Sequence, residues 1–369
     1  MPIFMDRHDI PGLTAMDVAE GHKQDLKIQD RYGCRAITYW FDEKRGTAFC
    51  LIEAPRKEAV EKMHDEAHGL IPKNIIEVDS GLVEVFLGRI TDPGTPVGSD
   101  DADLLLIKEP AFRTIMATQL KDAPLLKSIF GLKPLEIHHE MIQAAITQHA
   151  GHHVSKSTDG FLVSFFSASR AVKCAMEIQK RFERYNHQTS DAKMHVTIGL
   201  SAGEPVTDRD DFFGEVIQFA NRLCYIGRRG QVMVSSTVSR EYGKEEVDRL
   251  TEKEAVRVVN PVEEQFLNRL MEVTEQVWND ETFNVEEFGR RVGLSKSQFY
   301  RKIMSLTGQA PSGFVKEFRL IKAMEFIEKQ QGNISQIAFD TGFSNPSYFS
   351  KCFQKRFGLL PSEFARKIA

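Results

Sequence analysis

Two stretches near the end of this 369-residue chain repeat one pattern, and that repeat restricts the fold more than any other feature. In "TFNVEEFGRRVGLSKSQFYRKIMSLTG", Val285, Phe288 and Val292 recur at helical spacing and Gly293 stops the run. Ser295 then stands where a second helix needs a cap. In "NISQIAFDTGFSNPSYFSKCFQKRFG", Ile334, Ile337 and Ala338 repeat the first face, and Gly342-Phe343 repeats the turn. Phe299 and Ile303 in one copy, Phe349 and Phe353 in the other, mark an inward face on the second helix. Between the copies, residues 311–330 read as one uninterrupted helix with Phe314, Phe318, Ile321 and Ile327 on its apolar side. The expectation is an all-α unit of two helix pairs joined by a long helix.

The second helices leave polar and basic side chains outward. They are Lys296, Ser297, Gln298, Arg301 and Lys302 in one copy, and Asn345, Ser347, Tyr348, Lys351, Gln354 and Lys355 in the other. From residue 290 onward there are 14 Lys/Arg against 5 Asp/Glu, although the whole chain carries −4. A basic end on an acidic protein points to a polyanionic partner for that end alone. A short helix with such a face is how a helix-turn-helix unit meets a major groove. The joining helix spans ~30 Å, close to the ~34 Å between successive major-groove faces, so one chain reaches two grooves of double-stranded DNA.

The marks "IAFDTGF" and "GFSNPSYFSKCFQKRFGLLPSEF" resemble the DNA-binding domain of AraC-type bacterial transcription regulators, over residues 262–369. The resemblance implies that Gly342 and Phe343 set the second turn. It also implies that Tyr348 and Phe349 pack the second recognition helix, and that Phe357-Gly358 with Pro361 closes the unit.

Two seams divide the rest. Residues 89–105, "RITDPGTPVGSDDADLL", are dense in Gly, Pro, Asp, Ser and Thr without periodicity. Near "VRVVNPVEEQ" a β-branched run stops at Asn260-Pro261, and helical spacing begins with Phe266, Leu270, Val273 and Val277. Three units are expected, at 1–90, 105–258 and 262–369, as suits a chain longer than one core usually fills.

In the middle unit, "HHVSKSTDGFLVSFFSASRAVKCAMEIQKRFERYN" reads as strand, turn, strand, then a helix capped by Ser167 with Ala171, Cys174, Ile178 and Phe182 inward. "RTIMATQ" and "HVTIGLSAGEPV" read as strands, and "DDFFGEVIQFANRLCYIGRRGQVMVSSTV" as a helix then a strand. Order and spacing resemble the catalytic domain of class III nucleotidyl cyclases, an α/β fold. The resemblance implies a two-metal site between two aspartates, of which Asp159 is the second, while Gln119 stands in the place of the first. A neutral amide cannot offset two divalent ions, so the unit is expected to be degenerate and not an enzyme. Ser155, with Lys156 beside it, falls at the base-reading lysine. Gln218 falls at the late-helix asparagine, Arg222 at the transition-state arginine and Asp211 at the adenine-reading position. A nucleotide-like pocket at Asp159, Asp211 and Arg222, or a scaffold pairing two chains, is the retained role. Cyclase domains work as dimers, so a homodimer is expected.

The N-terminal unit reads as strands at "PIFMDRHDI", "CRAITYWF" and "GTAFCLIEA", helices over 14–31 and 55–68, and a closing strand at "GLVEVFLGRI". Pro55 is expected at the first helical position. The order is βαββαβ, the ferredoxin-like arrangement, so the whole chain is a multidomain α+β protein. "HDEAH" places His64 and His68 on one helix face, the spacing by which a helix offers two imidazoles to one metal. It is no zincin motif, since Asp65 replaces the required glutamate and no third ligand follows.

"MDRHDIPG", "GHKQDLKIQDRYG", "TYWFDEKRGTAFCLIEAP" and "HDEAHG" resemble a small bacterial family of ferredoxin-like nickel-binding proteins. Carried over, the ligands are His8, His22, His64 and His68, with Asp6 and Glu66 as partners that orient an imidazole. Imidazoles suit nickel, zinc and copper alike, and the resemblance makes nickel the first expectation, with another divalent transition metal next. Five cysteines without CxxC spacing read as buried thiols of a reducing compartment, and no apolar run approaches a membrane span, so the cytoplasm is expected. The assembled reading is a one-component transcription regulator whose N-terminal units sense a metal or nucleotide-like effector. The alternative is a weakly active nucleotidyl cyclase fused to a DNA-binding domain.

Overall fold

The structure is a computed structural model that describes residues 1–93, 106–189, 193–243 and 256–368, with 246, 249 and 251 between the last two spans. Most of the expected first linker, 94–105, lies outside the described residues.

The chain opens with β1 (Ile3–Asp9), α1 (Ala15–Ile28), β2 (Arg35–Asp42), β3 (Thr47–Glu53), α2 (Lys57–His68) and β4 (Asn74–Val78). The four strands form one antiparallel sheet in the order β2-β3-β1-β4, the expected ferredoxin-like arrangement. Thr14 and Asp17 make a reciprocal capping box at α1. Pro55 lies before the Arg56 cap of α2, not inside its first turn. The closing strand also differs from expectation. "GLVEVFLGRI" is mostly a helix, α3 (Ser80–Leu87), and the strand is the upstream "NIIEV". Asp79 accepts the Leu82 N–H at its start, Gly88 ends it in a left-handed turn, and Val83, Phe86 and Leu87 share its buried side. A short, nearly all-apolar run carries both periodicities, and here the caps decide.

Strand alternation gives β1 two different neighbours. Asp6 meets His64 of α2 on the helix side, whereas Met5 joins a core with Trp40, Ile115 and Val216 on the other. Arg7, also on that second side, donates from Nη1 to the Val206 carbonyl at 3.0 Å and lies 3.1 Å from Glu204.

The middle unit comprises β5 (Arg113–Leu120), α4 (Ala123–Phe130), α5 (Lys133–Gln148), β6 (His152–Lys156), β7 (Gly160–Phe165), α6 (Ala168–Gln188), β8 (Val196–Gly203), α7 (Gly214–Ile226), β9 (Val232–Val234), α8 (Ser236–Tyr242) and β10 (Val256–Val258). Its six strands run β10-β9-β8-β5-β7-β6, parallel across β8, β9 and β10 and antiparallel elsewhere. Ser167 caps α6 as expected, and Ala171, Cys174, Ile178 and Phe182 are buried beneath it.

His138 of α5 is fully buried beside Phe161 and Phe182, and neither ring nitrogen has a hydrogen-bond partner among the described residues. Burial, with smaller effects from His139 and Lys156, lowers its pKa to about 3. The folded ring therefore stays neutral where the unfolded one, titrating near 6.5, is charged. Its contribution is fully present above the unfolded value and is lost as pH falls towards the folded one. The chain should be about 2 kcal/mol less stable at pH 5 than at pH 7 from this group alone. Urea melts at both pH values should show the loss, and His138→Leu should remove most of the difference.

The C-terminal helices are α9 (Pro261–Val277), α10 (Val285–Arg291), α11 (Lys296–Thr307), α12 (Pro311–Glu328), α13 (Ile334–Asp340), α14 (Pro346–Phe357) and α15 (Pro361–Ile368). Asn260 and Glu263 form a capping box that starts α9 directly after β10. Phe266, Leu267 and Leu270 of α9 share one core with Phe219, Leu223 and Met233 of the middle unit and with Phe288, Phe299 and Ile303 of the first helix pair. The second pair has its own core, from Met324 and Ile327 to Phe343, Phe349, Phe353 and Phe364. Among the described residues no helix is long and apolar enough to cross a membrane.

Candidate nucleic-acid interface and metal centre

Helices α11 and α14 occupy equivalent places in the two pairs, and each begins on a side-chain cap. Ser295 and Gln298 cap α11 reciprocally, and Asn345 accepts the N–H groups of Ser347 and Tyr348 at α14. Gln298 and Asn345, expected to face a groove, are thus engaged at their own helix starts. Lys296, Ser297 and Arg301 on α11, with Ser347, Lys351 and Gln354 on α14, are exposed. The exposed Lys302 lies with its ammonium 5.6 Å from the centre of the Phe266 ring. Lys355 instead lines a cavity shared with the middle unit.

Tyr348, which the resemblance implies as a packing residue, is 54% exposed, because Phe349 beside it takes the inward position. It belongs with the outward set. Two further side chains of that kind escaped the sequence reading: Tyr300 is 47% and Met304 40% exposed. Their i+4 and i+3 offsets from Lys296 and Arg301 are the signal that places them on the polar stripe.

The pairs are tied together from behind by Arg319 of α12. Its Nε donates to the Trp278 carbonyl at 2.5 Å, Nη1 to that of Gly342 at 2.7 Å and Nη2 to that of Asp280 at 2.7 Å. The turn before α14 is thereby fixed to the end of α9.

In the N-terminal unit, β1, β3 and α2 bring Asp6, His8, Cys50 and His64 together in one buried group, their ligand atoms all within 4.8 Å. Asp25 of α1 with His64 and His68 forms a second group around the same imidazole. His64 Nε2 is 2.8 Å from Asp6 Oδ2, and its Nδ1 is 3.0 Å from Asp25 Oδ1 and 3.1 Å from His68 Nε2. Burial opposes charge on His64, but the Asp6 and Asp25 carboxylates outweigh it and raise its pKa to about 10. Burial likewise raises Asp6, yet His8 and His64 hold its carboxyl well below the usual range. His8 Nε2 is buried, 3.3 Å from Asp6 Oδ1, and has no hydrogen-bond partner of good geometry among the described residues.

Of the four expected ligands, His8 and His68 each meet His64 but in different groups, His8 with Asp6 at the Nε2 side and His68 with Asp25 at Nδ1. His22 belongs to neither group; it is buried beside Tyr39, and among the described residues neither ring nitrogen has a hydrogen-bond partner. Glu66 is not an orienting partner. It lies at the surface, paired with Arg31 and Tyr32. Asp25 and Cys50 were missed as candidate ligands, since only the packing of α1 on α2 and the facing of β3 bring them in. An orphaned imidazole nitrogen and a buried set of nitrogen, oxygen and sulfur donors fit a divalent transition metal.

The expected nucleotide-like positions do not converge within one chain. Asp159 lies beside Gln119, whose Nε2 donates to Asp159 Oδ2 at 3.3 Å. Arg222 donates to Asn268 of α9 at 2.7 Å and faces Glu272 and Glu275. Asp211 packs at the start of α7, where its carboxylate would meet any Cβ added at Gly214. Arg222 and Asp159 line separate cavities.

Residues 4–78 match the family described as "Nickel responsive protein SCO4226-like", and residues 288–367 one described as "Helix-turn-helix domain". The HTH-type transcriptional activator RhaS of Mannheimia succiniciproducens is 36% identical over 78 residues, 21% of this chain and 29% of that protein. The C-terminal unit is an AraC-type helix-turn-helix domain. Histidine kinase P4 of Formosa agariphila is 36% identical over 111 residues, 30% of this chain but 8% of that protein. The chain thus spans less than a third of the length of either relative. An adenylate/guanylate cyclase/hydrolase structure from Silicibacter pomeroyi aligns at 29% identity and TM-score 0.31, over 35% of this chain and 78% of that one.

Proposed function

We propose that this protein is a DNA-binding transcription regulator in which α11 and α14 enter neighbouring major grooves of one duplex. The reading is supported above all by two exposed polar-basic helices, each seated on its own aromatic core and joined through α12. The units at 1–90 and 105–258 then serve as sensor and pairing modules of a homodimer. The metal is nickel, held at the Nε2 side of His64 by His8, Asp6 and Cys50, while Asp25 and His68 hold the ring through Nδ1. Bound metal supplies a cation that must favour one arrangement of the chain over another for any switching to follow.

The middle unit is proposed to be catalytically silent. An amide at Gln119 donating to Asp159 favours that over residual cyclase activity, because it occupies the carboxylate with a neutral partner. Incubation with ATP or GTP and manganese should yield no cyclic nucleotide; clear formation would favour the weak-cyclase alternative.

Binding to genomic duplexes should weaken steeply with salt as counterions are released. Arg301→Ala and Lys351→Ala should each cost about 1–3 kcal/mol if they read a base, or reduce the salt slope by about 1 if they touch only phosphate. Duplex titrations at several salt concentrations distinguish the two. Indifference of the full chain to every duplex at low ionic strength would remove the proposal.

A further inference from the structure

A cavity of about 970 Å³ lies between the middle unit and the helix-turn-helix domain, large enough for a small organic ligand. One wall is the end of β5 with Lys121 and Asp122, together with Tyr225 and Arg228. The other is a stripe of α12 carrying Phe314, Glu317, Ile321 and Met324, continued by Lys355 and Arg356 of α14. Ion pairs cross its edge: Arg356 reaches Asp122 at 2.9 Å and Glu317 at 2.7 Å, and Arg229 reaches Asp122 at 2.7 Å.

Two features of the lining call for an additional partner. The Tyr225 hydroxyl is buried and makes no hydrogen bond among the described residues. The lining cations also outnumber the acids available to them. Lys127, Arg228, Lys329 and Lys355, all exposed, make no ion pair among the described residues and are free to meet an anion, and the half-buried Lys121 ammonium donates to the Tyr225 carbonyl at 3.2 Å. Desolvation bears on the Tyr225 hydroxyl and the half-buried Lys121, since buried polar groups are ordinarily satisfied. The α12 stripe meanwhile supplies an apolar floor.

We propose that this cavity binds a small ring-bearing organic anion, its body on Phe314, Ile321 and Met324 and its acidic group among Lys121, Arg228 and Lys355. Such a ligand touches the middle unit and both α12 and α14 at once, so it couples the site to the helix proposed to enter the second groove. The binding stands on the cavity alone; only its role as an effector site rests on the regulator reading.

The test uses the full chain and two dyes of the same shape, anionic 1-anilinonaphthalene-8-sulfonate and uncharged N-phenyl-1-naphthylamine, followed by fluorescence. The sulfonate should bind saturably, one per chain, and at least about tenfold more tightly than the neutral amine. Lys355→Glu and Arg228→Glu, both at exposed positions, should each weaken it about tenfold, and the exposed Lys316→Glu, outside the cavity, should not. Ile321→Trp, which fills the floor, should abolish it. Hydrogen exchange with the sulfonate bound should show protection in α4 and α12 together. Equal binding of both dyes, an unchanged affinity in the two glutamate variants, or protection on one wall alone would overturn the proposal. None of these readouts involves DNA, so failure of the duplex titrations leaves this result intact.

Discussion

Gly342→Ala is expected to destabilise the chain markedly more than the same change at Gly293, although both glycines end the first helix of a pair. Their φ angles are +78° and +79°, so each alanine carries the left-handed cost of about 1–2 kcal/mol. A Cβ at Gly293 meets nothing within 4 Å. At Gly342 it lies 2.9 Å from the Arg319 guanidinium and 3.0 Å from the Trp278 carbonyl. Those two groups are bonded to each other, so neither moves without breaking the tie between the pairs. Crowding of this kind adds about 1–3 kcal/mol. Denaturant midpoints should therefore separate the variants, and duplex affinity should fall further for Gly342→Ala, because it is α14 that loses its seat. Equal midpoints would mean that Arg319 is no structural tie.

His64→Ala should have a comparably large effect at the other end. It leaves Asp6 and Asp25, both nearly inaccessible, facing the gap without their shared cation. Removing one member of a buried charge cluster costs about 3–5 kcal/mol. Calorimetric titration with nickel chloride should show binding to the wild type and none to the variant. His22→Ala, outside both donor groups, should retain the metal. Metal binding by His64→Ala would place the centre elsewhere.

Much of the C-terminal unit was legible in the sequence because its signals are local. Ser295, Gly293, Gly342 and the aromatic pairs act within a turn or two, and each stands where its spacing placed it. The ferredoxin-like order was also legible, but its last strand was not. Gly81 to Leu87 is so uniformly apolar that only the Asp79 cap and Gly88 separate helix from strand. The candidate metal centre was half legible. An i, i+4 histidine pair is a local pattern, whereas Asp25 and Cys50 come from elements distant in the chain and are gathered only by packing. What each outward side chain does was least legible: Gln298 and Asn345 spend their polarity on caps, and Lys355 turns to the cavity, for reasons that lie in three dimensions.

Strand β1 gives the N-terminal unit a direct mechanical link. Asp6 points towards the imidazoles, while Met5 and Arg7, its immediate neighbours, are gripped by the middle unit through Val216 and the Val206 carbonyl. In the proposed reading, a pull on that carboxylate by an ion would be felt a single peptide bond away, on the opposite side of the same ribbon. Occupancy at the proposed centre would then need no hinge or relay to be registered by the central body.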